Sequence, residues 1–294
     1  MKSKIYYIGK FILSSIVFFL MGTLVYYVLS KTVPSFKIDF SHLRNYALFD
    51  LLTEIIVSIL VVAINFKILK ENYIKNGNKI KNNFGSYLKI VIINTFAFFA
   101  VKYFAGIIET SLCGFFNVKV ELAKNQKVIN DLFLAAPIFM IISGSVFAPL
   151  SEELIFRGAL KKVLNKKGIF ITVSGLIFGL MHITGSYLLL ATIFLIGLVL
   201  EMIISSNSKN KKVLSVIAVA SLILLFFGIE YLLHGNVIYP FIKITPSELI
   251  GSVGYVIPGI YFAYLYTKYD DIFLNMGVHG LNNLFSFLMY MLFL

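Results

Sequence analysis

Charged residues are scarce in this chain. Only 14% of its 294 residues are charged and 59% are hydrophobic, whereas a soluble domain has roughly 25% charged and 45–50% apolar residues. Because a water-soluble fold cannot bury that much apolar surface, the composition excludes a soluble protein. Cys113 is the single cysteine, which excludes a disulfide framework and a cysteine-rich metal site.

The chain also lacks a separate basic domain, although its formal net charge is +12. Its lysines lie in short segments between apolar runs, so positive-inside topology explains the charge better than a nucleic-acid partner does. One side of the expected topology carries more than twice as many Lys and Arg residues as the other. This bias predicts a multi-pass protein of the cell membrane with a cytoplasmic N-terminus. The Ile, Lys, Asn and Phe usage is typical of a bacterial chain.

What the chain does have is a series of long apolar runs, each near the roughly 20 residues that a helix needs to cross a bilayer. The sequence therefore predicts an all-α fold, a polytopic transmembrane bundle with eight or nine spans. We expect helices at 11–30, 46–67, 88–108, 131–164, 168–184, 186–206, 212–234, 249–268 and 272–294. The polar stretch 67–83 is predicted to be a cytoplasmic loop.

Ionisable residues within spans are functional candidates, because each costs about 2.5–3.5 kcal/mol on insertion scales. Asp50 and Glu54 lie one turn apart on the second predicted helix. Pairing with a lysine or a polar residue of a neighbouring helix explains them better than a function does. Glu152 and Glu153 are different, because they are adjacent in an apolar helix.

Glu153 and Arg157 stand four residues apart, on one face of that helix, and can form a charge-assisted pair. Glu152 points about 100° away, because a helix has about 3.6 residues per turn. The sequence thus predicts one carboxylate neutralised by a partner and a second one available as a general base or acid.

Two further segments place histidines in apolar helices. His182 taken alone is explained by an ordinary core histidine. His279 and Asn283, four residues apart, are explained equally well by helix packing or by two donors for an oxyanion. Measured from the expected cytoplasmic turns, these three residues and Glu152 lie roughly 16–24 Å deep at about 1.5 Å per residue. A shared catalytic cavity inside the membrane would account for this common depth.

The patterns E-E-x-x-x-R (152–157), F-x-x-x-H (178–182) and H-x-x-x-N (279–283), in this order, resemble the CPBP family of CAAX prenyl endopeptidases and bacteriocin-processing or immunity membrane proteins, also called the Abi family. The resemblance covers about residues 131–294, the expected catalytic core. Residues 1–130 form non-diagnostic N-terminal helices and loops of the same single membrane domain. The resemblance implies an intramembrane endopeptidase acting on a membrane-associated protein or peptide, in peptide or bacteriocin processing or self-immunity.

The resemblance also implies a role for each motif residue. Glu152 and His182 would activate a water, His279 and Asn283 would stabilise the oxyanion, and Glu153 with Arg157 would hold Glu152 in place. Covalent catalysis has little support, because the chain has no G-x-S-x-G motif and Cys113 lies outside the motif helices.

No cofactor is favoured. A zinc ion held by Glu152, His182 and His279 is the alternative. It is less favoured because the chain has no H-E-x-x-H motif and because Asn283, a poor zinc ligand, occupies a motif position.

Two other functions compete with peptide hydrolysis. The first is a non-catalytic scaffold or immunity protein that binds a peptide or partner in the same cavity. The second is a small transporter, which would predict related halves that the sequence does not display. The peptidase is preferred, because every motif position is filled.

Overall fold

The computed structural model describes residues 2–32, 42–119, 124–183, 187–205 and 245–293, with isolated positions between 206 and 244. Within these ranges the chain is helical and contains no strand. The helices are α1 (Lys2–Thr32), α2 (Leu43–Asn82), α3 (Phe84–Phe115), α4 (Lys124–Ala135), α5 (Pro137–Val163), α6 (Lys167–Met181), α7 (Tyr187–Ser205), α8 (Pro246–Gly251), α9 (Val253–Tyr269) and α10 (Ile272–Leu292).

The described part of the chain contains 5 segments long and apolar enough to cross a membrane, so this is a membrane protein. They are Lys4–Gly22, Leu43–Asn82, Phe84–Phe115, Pro137–Val163 and Pro246–Tyr269. The predicted eight or nine spans are not confirmed by this count. Two apolar helices are shorter, the polar residues of α10 lower its hydropathy, and the helix predicted at 212–234 lies largely outside the described residues.

The chain forms two compact units, each assembled from separate stretches of sequence. The first unit combines 1–99, 126–162 and 268–294, and the second combines 100–125 and 163–267. The first therefore contains α1, α2, nearly all of α5, and α10, whereas the second contains α6, α7, α8 and most of α9. The division at residue 130, which marks where the resemblance begins, stays a prediction.

The polar stretch 67–83 is helical up to Asn82, so the prediction of a loop there is wrong. α2 continues through it to Asn82, and its polar side chains bind the start of α10. The Asn76 amide donates to the Asp270 carbonyl over 3.0 Å, and the Asn72 side-chain oxygen accepts from the Ile272 N–H over 3.1 Å. These contacts fix where α10 begins.

α5 begins later than predicted and is not a regular helix. Pro137 starts it, because proline suits the first turn, where its missing N–H has no partner to lose. Two π-helical segments, Ser143–Phe147 and Leu154–Ala159, flank the turn that carries the adjacent glutamates. Such segments are rare and occur frequently at functional sites.

Candidate active site

In the first unit α5 and α10 approach each other through a glycine. A Cβ atom on Gly280 would lie 2.4 Å from the Ser145 carbonyl oxygen of α5. Proline at position 149 has no N–H to donate to that carbonyl, as a residue four positions later normally does in an α-helix. The proline and the glycine together bring His279, the neighbour of Gly280, against the π-helical part of α5.

Glu153 and Arg157 form the ion pair that their spacing predicts. Arg157 Nη1 lies 3.2 Å from Glu153 Oε1, and both side chains are fully buried. A buried ion pair loses its hydration and is tolerated only where good geometry and further hydrogen bonds compensate. Those further hydrogen bonds come from α10.

Two side chains of α10 complete the environment of Glu153. His279 Nδ1 lies 2.9 Å from Glu153 Oε1, and Asn275 Nδ2 donates to Glu153 Oε2 over 3.2 Å. Because this carboxylate accepts from its other partners, Nδ1 is the ring nitrogen that carries hydrogen. The resemblance implies that Glu153 holds Glu152, but the observed hydrogen bonds of Glu153 orient the His279 imidazole.

Glu152 faces the other ring nitrogen of the same imidazole. Its Oε2 lies 3.8 Å from His279 Nε2, and the residue is 8% exposed. This distance is too long for a direct hydrogen bond. Oε2 is buried and has no hydrogen-bond partner among the described residues. His279 thus stands between two carboxylates, one that fixes the ring and one whose Oε2 has no hydrogen-bond partner.

Two carboxylates of α2 lie in the same unit. Asp50 accepts a hydrogen bond of 2.9 Å from Ser143 Oγ, which agrees with the structural pairing expected for it. Glu54 differs, because its buried Oε2 has no hydrogen-bond partner in the described part of the chain. No motif in the sequence relates Glu54 to Glu152.

The α10 motif residues have separate partners. Asn283 Nδ2 donates to the Gly144 carbonyl over 2.7 Å, and its Oδ1 accepts from Asn282 over 2.8 Å. Asn283 therefore fastens α10 to the first π-helical segment of α5. Asn275 was not predicted to belong to the site. Its signal was the spacing, since Asn275, His279 and Asn283 recur every four residues on one face of an apolar helix.

His182 belongs to the second unit, where it ends α6. Its Nδ1 donates to the Phe178 carbonyl over 2.6 Å, and its ring stacks on Tyr255 of α9 with centroids 5.0 Å apart. The helices α6 and α9 are in close contact, because a Cβ on Gly179 would lie 2.6 Å from the Val256 backbone. The predicted cavity shared by His182 and Glu152 concerns both units and stays a prediction.

The zinc alternative depends on which side-chain donor atoms are available to bind the ion. Such a site takes three protein ligands and a water. Of the proposed ligands the first unit holds Glu152 and His279, which offer one carboxylate and one ring nitrogen, because His279 Nδ1 is engaged with Glu153. Among all residues that the structure describes, no three His, Cys, Asp or Glu side chains are grouped to hold a metal ion. The first unit therefore supplies two of the three ligands that such a zinc needs, and the zinc alternative stays a prediction.

The chain is similar to one known protein family and to two curated proteins. The family model described as "Type II CAAX prenyl endopeptidase Rce1-like" matches residues 134–222 and 205–285. A protein of Bacillus subtilis named "Putative membrane peptidase YdiL" is 29% identical over 140 residues, which cover 47% of this chain and 54% of the relative. An "Uncharacterized protein" of Mycoplasma capricolum is 34% identical over 146 residues, 47% of this chain and 42% of the relative.

The chain thus spans about half the length of these curated relatives. No solved structure matches it significantly. The two ranges matched by the family model together cover more than half of the chain and contain all three motifs. On this match the chain belongs to the type II CAAX prenyl endopeptidase Rce1-like family.

Proposed function

We propose that this protein is an intramembrane endopeptidase that hydrolyses a peptide bond of a membrane-associated protein or peptide without a covalent intermediate. The observation that carries the proposal is the position of His279, 2.9 Å from Glu153 and 3.8 Å from Glu152. Family membership and the apolar helices around these residues support the same activity. Processing of a peptide or bacteriocin is the cellular role suggested by the resemblance.

In the proposed reaction a water molecule binds between Glu152 Oε2 and His279 Nε2. A water at a normal hydrogen-bond length of about 2.8 Å from each atom fits a separation of this size. Glu152 accepts one proton of the water as its oxygen attacks the carbonyl carbon, which is general-base catalysis. Glu153 and Arg157 keep the imidazole in the orientation that this step needs.

The tetrahedral intermediate carries a negative oxygen that needs hydrogen-bond donors. Asn283 retains one amide hydrogen for this purpose after its bond to Gly144, because an amide nitrogen carries two. A water has two hydrogens, and Glu152 takes one of them, so one histidine accepts the other. His182 is the alternative to His279 for this role, because it occupies the family's motif position. Its Nδ1 donates to a backbone carbonyl, so Nε2 of the neutral ring is an acceptor.

The test uses the full chain purified in detergent and two quenched fluorescent peptides. One peptide carries a farnesylated cysteine in a CAAX terminus, and the other belongs to a library of unmodified apolar peptides. We expect cleavage of at least one peptide and a loss of about 10²–10⁴-fold in Glu152→Gln, the usual contribution of a general base. His279→Ala should lose activity to a similar extent.

Two matched variants control for the substitutions. Glu71→Gln removes a half-exposed carboxylate that pairs with Lys162, and His42→Ala removes an exposed histidine before α2. Both should cleave at the wild-type rate. Undiminished cleavage by Glu152→Gln would refute the mechanism, and a cellular phenotype that survives this substitution at normal abundance would favour the scaffold.

A separate measurement addresses the metal. The proposed mechanism uses Glu152 and histidines alone, so wild-type activity should withstand a chelator. Activity that a chelator removes and a stoichiometric metal ion restores would replace the glutamate mechanism with a metal-dependent one.

A further inference from the structure

Glu54 is a buried carboxylate that the motifs do not contain. It lies on α2, outside the residues that the family model matches. Its Oε2 is buried without a hydrogen-bond partner among the described residues, and the same is true of Glu152 Oε2. A carboxyl oxygen buried in this way loses its hydration without compensation. The presence of two of them in one unit therefore needs an explanation.

The ordinary structural explanation applies to Asp50 and not to Glu54. Asp50 lies one turn earlier on the same helix and accepts the Ser143 hydroxyl. Glu54 lies one turn from Asp50 and one turn from Ser58, whose hydroxyl donates to the Phe147 carbonyl over 2.9 Å, so it is on the face of α2 that contacts α5. Arg157, the buried cation of this unit, pairs with Glu153. Asp50 and Glu54 are one helical turn apart and repel each other when both are ionised, so Glu54, the one whose buried Oε2 has no hydrogen-bond partner among the described residues, keeps its proton.

We propose that Glu54 is the general acid of the reaction, paired with Glu152 as the general base. The inference rests on the proposed function, because it supplies the proton that peptide hydrolysis needs at the leaving nitrogen. Water attacks the carbonyl carbon and gives one proton to Glu152. When the C–N bond breaks, its electron pair stays on nitrogen, and nitrogen takes the proton of Glu54. The proton on Glu152 then passes to Glu54, which restores the pair.

The leaving group distinguishes this role from a structural one. An amide nitrogen must be protonated as it departs, whereas the phenolate of an aryl ester leaves without that help. The experiment compares a peptide that the wild-type chain cleaves with the aryl ester that has the same acyl part. Glu54→Gln, Glu152→Gln and the matched control Glu71→Gln, on the same helix, are measured on both substrates.

We expect Glu54→Gln to lose about 10²–10⁴-fold in kcat on the amide, the usual contribution of general acid catalysis, with KM nearly unchanged. On the aryl ester it should lose less than tenfold. Glu152→Gln should be inactive on both substrates, because both need an activated water. Glu71→Gln should behave as the wild type, since its carboxylate pairs with Lys162.

Two results would overturn the inference without touching the proposed function. One is a Glu54→Gln variant that cleaves the amide within about threefold of the wild-type rate. The other is an equal loss on amide and ester, which is the pattern of a purely structural residue. A wild-type chain that cleaves none of the peptides would instead refute the proposed function, and this inference with it.

Discussion

The two histidines of the motifs are held by different means in the two units. In the first unit His279 Nδ1 meets a fully buried carboxylate that an arginine neutralises. In the second unit His182 Nδ1 meets the backbone carbonyl of Phe178, one turn earlier on its own helix, and the ring stacks on Tyr255. Both arrangements place hydrogen on Nδ1 and leave Nε2 of a neutral ring as an acceptor.

The difference lies in what each arrangement depends on. The orientation of His279 depends on a charge pair built from two helices, so it should be sensitive to any change of that charge. The orientation of His182 depends on a local hydrogen bond and on ring packing, which contribute less energy and tolerate more substitution. Substitutions in the two units test this difference in how the two histidines are oriented.

Removal of the buried cation should have the largest effect. Arg157→Leu leaves Glu153 as an uncompensated buried carboxylate, which typically costs about 3–5 kcal/mol. We expect a sharp loss of protein abundance and of thermal stability in detergent. The double variant Arg157→Leu with Glu153→Gln removes both charges and should recover much of the stability but little activity. Wild-type stability of the single variant would contradict the importance of the pair.

The contact of α10 with α5 should be the next most sensitive. Gly280→Ala places a Cβ 2.4 Å from a backbone oxygen, which cannot move aside as a side chain can. We expect about 1–3 kcal/mol of destabilisation, as for other overpacked sites, together with reduced peptide cleavage. The control is Gly277→Ala on the same helix, whose Cβ would meet the Val91 side chain at 3.2 Å. Equal effects of the two substitutions would show that the backbone contact is unimportant.

The smallest effect is expected from the aromatic ring that supports His182. Tyr255→Ala removes the stack, worth about 0.5–1.5 kcal/mol, and should lower kcat by about two- to tenfold. Tyr255→Phe keeps the ring and should retain activity. Tyr264→Ala, an exposed tyrosine of the same helix, serves as a control. A Tyr255→Ala variant as active as the wild type would leave the backbone hydrogen bond as the sufficient constraint on His182.

Local spacing was enough to predict part of the site. The Glu153–Arg157 pair follows from an interval of four residues, and it forms although a π-helical segment begins between the two residues. Regular apolar runs also predicted α9 and α10 closely. The contact between Glu153 and His279 joins residues 126 positions apart. No local pattern contains that information, and the role of holding Glu152 was implied for Glu153 by the family resemblance alone.

Two errors in the predicted fold have physical causes. The polarity of residues 67–83 predicts a loop at the end of α2, but these polar side chains bind the residues at the start of α10. The start of α5 was placed too early because the apolar run continues through Pro137, where the helix is interrupted. The structural interpretation of Glu54 stays a prediction, but the lack of a hydrogen-bond partner for its buried Oε2 among the described residues becomes visible only in three dimensions.

The π-helical segment Ser143–Phe147 also affects which insertions and deletions the protein can tolerate. Such a segment accommodates one residue more than a regular turn, so deletion within it can restore an ordinary helix without rotating the rest of α5. A deletion between this segment and Glu152 cannot be absorbed in this way, so it rotates the later residues by about 100° around the helix axis. Glu153 would then point where Glu152 points now. One missing residue would put Glu153 in the place of Glu152 and Leu154 in the place of Glu153, so the imidazole of His279 would lose the carboxylate that orients it.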